Sequence, residues 1–405
     1  VKNIETFELQ FERTPKAISF EGLARAVMSP VMIAVIWICA ALHIFTTLPA
    51  ELPQRQRSFD FAAYYVGALI LREGGNPYAT NGHPVAARLD LDPGEIDTAV
   101  DTPALLLSFE PLTWFAPVTA YWMWTVLNVG LLAASLLMLL GPGSGYRVRG
   151  ALLVAGLVLL YPPLKEHFFY AQTQLVILFL FVVAMRSMGR QRDALAGTAL
   201  ALAALLRGYP LIVLGYLAVR RRRRTLGFAI AALGIAGLLT VVAVGVRSCV
   251  DFLSVARMAN TAFFYRRPDL AINASVARVV LLLWGPGSWT GPIRGAAVAL
   301  IESVILAITI RASYIAAPAP DREWRAFSLW VVACVVLSPI VWVHYMILFV
   351  ILFAQLGVAT EQGTASRRAL EMAAASFLLI LSAIVVQSGT WASSGVSYAV
   401  AALST

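Results

Sequence analysis

Asp60 sits between Phe59 and Phe61, with Tyr64 and Tyr65 one helical turn on. A carboxylate in such aromatic company is expensive to desolvate. Two readings of it stand. One is a carboxylate in the first turn of an interfacial helix, where Asp is favoured by the helix dipole. The other is a general base or ligand-binding carboxylate whose basicity the aromatic rings raise. In that reading Tyr64 and Tyr65 offer flat faces and hydroxyls to a sugar or a lipid.

Further polar residues lie far away in the sequence. Lys165, Glu166 and His167 follow two prolines, and Gln172 and Gln174 come next. Arg207 interrupts an apolar run as RGYP, Arg266 and Arg267 precede Pro268, and His344 stands in VWVHY. Cations of this kind suit a phosphate, and neutral amides suit a sugar hydroxyl or a phosphate. Each also has a bland reading. Lys165 can snorkel to an interface, Arg266 and Arg267 can be surface residues, and a lone histidine is commonly structural. Asn273 and Ser275 form NAS. DLDPGEID, from Asp90 to Asp97, lacks EF-hand spacing and reads as a solvated acidic loop. GGNPY, residues 74–78, is turn chemistry. No P-loop, GxGxxG, GxSxG or HExxH stands in a credible context. Three scattered cysteines make neither a disulfide framework nor a zinc site.

The elements that must position these residues are membrane helices. Of 405 residues, 60% are hydrophobic and 13% charged. Windows of about 20 apolar residues recur. This composition excludes a water-soluble enzyme. The net charge of +9 comes largely from loop arginines and does not suggest nucleic acid. The expected class is an all-α polytopic membrane protein.

Three apolar stretches carry basic residues at both ends and a polar interruption between. They run from Arg149 to Arg186, from Arg192 to Arg220 and from Arg325 to Arg367. Basic flanks belong inside, so each is read as a hairpin with its polar tip outside. Single helices are expected at roughly 29–49, 119–141, 225–246, 292–311 and 369–387. The stretch INASVARVVLLLW, around 270–285, is read as re-entrant, surface or spanning. The total is about 11–12 transmembrane helices. Residues 1–28 are expected to be a cytoplasmic tail, 29–390 one transmembrane domain and 391–405 a second tail. A first outer loop, 50–118, carries Asp60, and a second outer region covers 247–290. Asp60, Lys165, Glu166, His167, Arg207, Arg266, Arg267 and His344 then fall at one outer level. Glu302 lies inside a helix with no evident partner.

The ordered motifs DFAAYYVGALILREGGNPY, EPLTWFAP, AQTQ, ALLRGYPLIVLGYLAVRRRRR, NAS and LSPIVWVHY resemble glycosyltransferase family 87. This is a family of membrane enzymes in the GT-C superfamily, and the likeness covers nearly the whole chain. Its members include polyprenyl-phosphate-mannose-dependent mannosyltransferases and arabinofuranosyltransferases of actinobacteria. The resemblance implies a GT-C fold with Asp60 as catalytic base. Gln172 and Gln174 match a GQxN-like pair in which Ala171 replaces the glycine. Arg207 stands where lysine is common before x-Tyr-Pro. Asn273 and Ser275 match an NxS pattern. His344 matches the first histidine of a SPxxWxHH-like motif, with Tyr345 in place of the second. Glu110 and Pro111 stand where a Tyr/Pro-rich turn is common.

The expected donor is a polyprenyl-phosphate sugar, most often mannose, and the acceptor a lipid or glycan. Arg207, Lys165, His344 and Arg266 are the expected phosphate ligands. Tyr64, Tyr65, Gln172, Gln174, Asn273 and His167 are the expected sugar or acceptor ligands. No cofactor is expected, and a phosphate leaving group paired with Arg or Lys makes a metal dispensable. The expected site is the outer face of a bacterial cytoplasmic membrane. The alternatives are arabinose transfer, a transporter or flippase of lipid-linked sugars, and an inactive scaffold.

Overall fold

The computed structural model describes residues 29–55, 59–91, 98–141, 148–261, 275–277, 279–280, 291–315 and 320–361. Among these residues there is no strand. Arg266, Arg267, Asn273, the expected helix 369–387 and both expected tails lie outside them.

Helix α1 spans Pro30–Arg55, and α2 spans Phe59–Arg72 with Asp60 in its first turn. Two short helices follow, α3 (His83–Arg88) and α4 (Pro103–Phe109), then a 3-10 turn at Glu110–Trp114. The N-terminus of α4 is written in the sequence. Thr102 caps it by accepting from Leu105 N at 3.2 Å, and Pro103 takes the first helical position. Helix α5 (Pro117–Leu140) begins on a proline in the same way.

Each of the three stretches expected to be hairpins is broken into separate helices. The first contains α6 (Val148–Leu159), α7 (Pro162–Phe169) and α8 (Gln174–Gly189). Pro162 and Pro163 cannot continue α6, and α7 leaves it at 49°. The second contains α9 (Asp193–Leu206) and α10 (Leu211–Val219), parted at Arg207–Pro210. The third contains α14 (Pro320–Val336), a 3-10 turn at Val343–Phe349 and α15 (Val350–Glu361). Between them run α11 (Arg223–Val244), α12 (Val246–Thr261) and α13 (Gly291–Ile315). Gly245, at φ +84°, joins α11 to α12.

Pro117–Leu140, Arg223–Val244 and Gly295–Tyr314 are each long and apolar enough to cross a membrane, and the bent α6–α7 pair makes a fourth. The arms of the second hairpin have 14 and 9 residues. They reach roughly 21 and 14 Å at 1.5 Å per residue. They fall short of a hydrocarbon core of about 30 Å, as their sequence suggests. The outer surface of α11 carries Phe228, Ile230, Ile235, Leu238, Leu239 and Val242, all exposed. Large apolar side chains in such a row are stable against lipid, not water.

The interior is close-packed around α8. Phe181, Leu178 and Ile177 are fully buried against α5, α9 and α14, with Phe327 edge-on to Phe181. Small residues allow the helices to approach. A Cβ at Gly197 would lie 2.5 Å from Thr225 O and 2.7 Å from Ala229 N, so α9 and α11 meet backbone to backbone there. At the start of α9 the Asp193 carboxylate accepts from the Thr225 hydroxyl. Near it Glu323 pairs with Arg222 and, at 3.4 Å, with Arg220. Part of the RRRRR run is thus tied to α14. Glu302 of α13 is half-buried and makes no ion pair among the described residues.

The α9–α11 contact yields a test. Gly197→Ala is expected to destabilise by about 1–3 kcal/mol through overpacking against backbone. Gly227→Ala has nothing within 4 Å of the added carbon and improves helix propensity. Thermal unfolding in detergent should show a lower midpoint for the first and an unchanged or higher one for the second.

Candidate active site

The site is built where α2, the segment before α4, the α7–α8 turn and the α9–α10 break converge. At its centre is the Arg207 guanidinium. Arg207 ends α9, and an apolar protein cannot leave that charge alone. Nη1 donates to Asp101 Oδ1 at 2.5 Å, with 15% of the arginine side chain and 7% of the aspartate exposed. Nε donates to Thr173 Oγ1 at 2.8 Å. Nη2 donates to the Tyr64 hydroxyl at 2.5 Å and, more weakly, to Gln172 Oε1 at 3.4 Å. The guanidinium also lies 5.4 Å from the Tyr64 ring centroid. Each nitrogen is used, and the charge is balanced inside the protein. The expectation that Arg207 is a cation free for a phosphate changes accordingly.

From Arg207 the contacts run outward to Asp60. Tyr64 accepts from Arg207 and donates its own proton to Gln172 Oε1 at 3.1 Å. Gln172 Nε2 then donates to Asp60 Oδ2. These partners leave only one orientation for the Gln172 amide. Tyr64 and Gln172 are buried, while Asp60 is partly exposed. The Asp60 carboxyl is pushed up to about 7, first by burial and then by the negative charge of Asp101. Arg207 and the Gln172 hydrogen bond act in the opposite direction. A carboxylate poised there suits proton transfer near neutral pH.

The backbone around this chain is held from several sides. Tyr78, from the GGNPY turn, donates to Asp101 O at 2.8 Å. Thr102 donates to Leu206 O at 2.8 Å while capping α4. Ala171 takes a left-handed φ of 49°, a position glycine adopts without steric cost. The resemblance placed a glycine there, and the turn requires that backbone. Ala171 O accepts from Trp124 Nε1 at 2.9 Å, fixing the strained turn to α5. The turn in turn presents Gln172, Thr173 and Gln174.

The other expected site residues divide. Tyr65 belongs to the core. Its ring is buried, and its hydroxyl donates to Phe115 O at 2.7 Å. His167 is buried, with Nε2 3.1 Å from Asn128 Oδ1. Lys165, between buried Leu164 and His167 on α7, is partly exposed. Gln174 is fully buried beside Tyr209, and its amide makes no hydrogen bond of ordinary geometry among the described residues. His344 lies within electrostatic reach of Arg207 and His167, and its Nε2 is buried with no partner among the described residues. Tyr345, next to it, stacks on Tyr209 with centroids 5.0 Å apart. Asp101, Thr173, Tyr78 and Tyr209 were not singled out in the sequence. The one local signal was DTPALL, a capped helix start with an acid before the cap.

Searches of curated proteins and of solved structures gave no match. The family model described as Glycosyltransferase family 87 matches residues 100–339. That span includes Asp101, Gln172, Thr173 and Arg207 and begins after Asp60. A match over more than half of an all-α membrane chain places the protein in its family: the chain belongs to glycosyltransferase family 87 and is a membrane glycosyltransferase.

Proposed function

We propose that the enzyme transfers a sugar, most readily mannose, from a polyprenyl phosphate to a lipid or glycan hydroxyl, with Asp60 as general base. The observation that carries this reading is the Asp60 carboxylate. It is partly exposed, held by the Gln172 amide and set about neutral proton affinity beside a closed ion pair. Asp60 takes the proton of the acceptor hydroxyl as its oxygen attacks the anomeric carbon. The bond from that carbon to the phosphate oxygen breaks, and its electron pair leaves with polyprenyl phosphate. Attack opposite the leaving group inverts the anomeric centre. One base and stabilisation of the departing phosphate suffice.

With Arg207 engaged inside the protein, Lys165 and His344 are the described residues proposed to meet the phosphate. Arg266 and Asn273 remain proposed ligands on sequence grounds. A lipid-linked donor fits a membrane enzyme because its head and tail partition between interface and bilayer. The proposed setting is the outer face of a bacterial cytoplasmic membrane, as the arginine distribution favours.

Labelled mannose transfer from a short-chain polyprenyl phosphate mannose to extracted native lipids tests this. Asp60→Asn should lower turnover by about 10²–10⁴-fold while the protein stays folded. Full activity of that variant would discard the base. Transfer from polyprenyl phosphate arabinose alone would keep the mechanism and replace the sugar.

The pH profile is a second test. Asp60 must be ionised to accept a proton. The rate should therefore fall as pH drops through about 7, by about tenfold per unit below it. A kcat/KM that stays flat over roughly three pH units around that value would contradict the assignment.

A further inference from the structure

We propose that Gln172 is a positioning residue for Asp60, and that Arg207 and Asp101 tune the base through the Tyr64–Gln172 chain instead of binding the donor. This rests on Asp60 being the base. The geometry carries it. Arg207 makes its short contacts to Asp101, Thr173 and Tyr64, and all three belong to the protein. A guanidinium that turned its fork to a phosphate would have to give up one or more of these contacts, and each one lost leaves a buried polar partner less well paired. Tyr64 and Gln172 are each bound at both ends. Tyr64 accepts from Arg207 and donates to Gln172, and Gln172 accepts from Tyr64 and donates to Asp60. The amide can serve Asp60 only in the orientation that Tyr64 imposes.

The arrangement predicts two effects of opposite sign. Gln172 donates to the carboxylate and so favours its charged form. Losing that donor raises the proton affinity of Asp60. Asp101 is a second negative charge and disfavours ionisation of Asp60. Removing it, with Arg207 left uncompensated nearby, lowers that affinity. Tyr64 and Tyr345 are within electrostatic reach of Asp60. On the elements packed against α2, the charged or titratable described residues include Glu110, His83, Arg88 and, against Phe61, Tyr121. Arg72 closes α2 some 12 residues away, roughly 18 Å along the helix.

The experiment is the pH dependence of sugar transfer by the full chain in detergent, for wild type, Asp60→Asn, Gln172→Leu, Asp101→Asn and Tyr64→Phe. Infrared titration of the Asp60 carboxyl, isolated as the difference from Asp60→Asn, reads the same equilibrium without turnover. Gln172→Leu should move the acid limb up by about one pH unit, and Asp101→Asn should move it down by about as much. Tyr64→Phe should move it up by less. It removes only the hydroxyl and stands in if Asp101→Asn fails to fold. A merely structural role would lower yield or rate and leave the limb and the infrared midpoint in place. Unmoved midpoints in Gln172→Leu and Tyr64→Phe, with Asp60→Asn inactive, would overturn this inference and keep the base. An active Asp60→Asn would overturn the base itself.

Discussion

The buried pair of Arg207 and Asp101 is the interaction on which the rest of this site depends. Taking two charges out of water costs several kcal/mol each unless geometry and additional hydrogen bonds compensate. The protein meets that demand with a nearly complete set of partners. Asp101 balances the charge, Thr173 and Tyr64 take further N–H groups, and the Tyr64 ring lies against the guanidinium. Four separate stretches of chain meet at one side chain as a result. Their relative positions are fixed where an active site needs them fixed.

The breaks in the helices around the pair supply some of its partners. Pro210 has no N–H to give Leu206 O, which accepts from Thr102 instead, and Arg207 stands at the free end of α9. The left-handed Ala171 marks the corresponding break at the α7–α8 turn. Irregular backbone is tolerated inside a membrane protein only where protein or water satisfies it. Here Trp124, Thr102 and Tyr78 supply those bonds. An aromatic layer stands behind them. Phe61 packs edge-on to Tyr121, and Phe109 lies against Tyr64 and Trp124. It gives Asp60 a low-dielectric side without sealing it.

A second polar layer lies at the opposite end of α9. Asp193 and Thr225 join α9 to α11, and Glu323 collects Arg220 and Arg222. The two layers are separated by the 14 residues of α9, roughly 21 Å. Apolar packing around Phe181 and Phe327 fills the space between. The layer with Asp60 contains a strained turn, a perturbed acid and a His344 Nε2 without a partner among the described residues. The other contains ordinary anchors for helix ends. Chemistry and anchoring are divided between the two ends of the same short helices.

Composition and the spacing of arginines were enough to determine an all-α membrane protein and three apolar stretches broken at their polar interruptions. Those features follow from local rules: apolar length, proline and basic flanks. The motif order was enough to indicate the family. The sequence did not reveal what Arg207 pairs with, because Asp101 is 106 positions away and looks like any loop acid before a capped helix. It did not separate Tyr64 from Tyr65. Adjacent helical residues point about 100° apart, and only packing decides which faces the arginine and which the core. Tertiary structure made those decisions because the cost of a buried charge depends on what surrounds it in space.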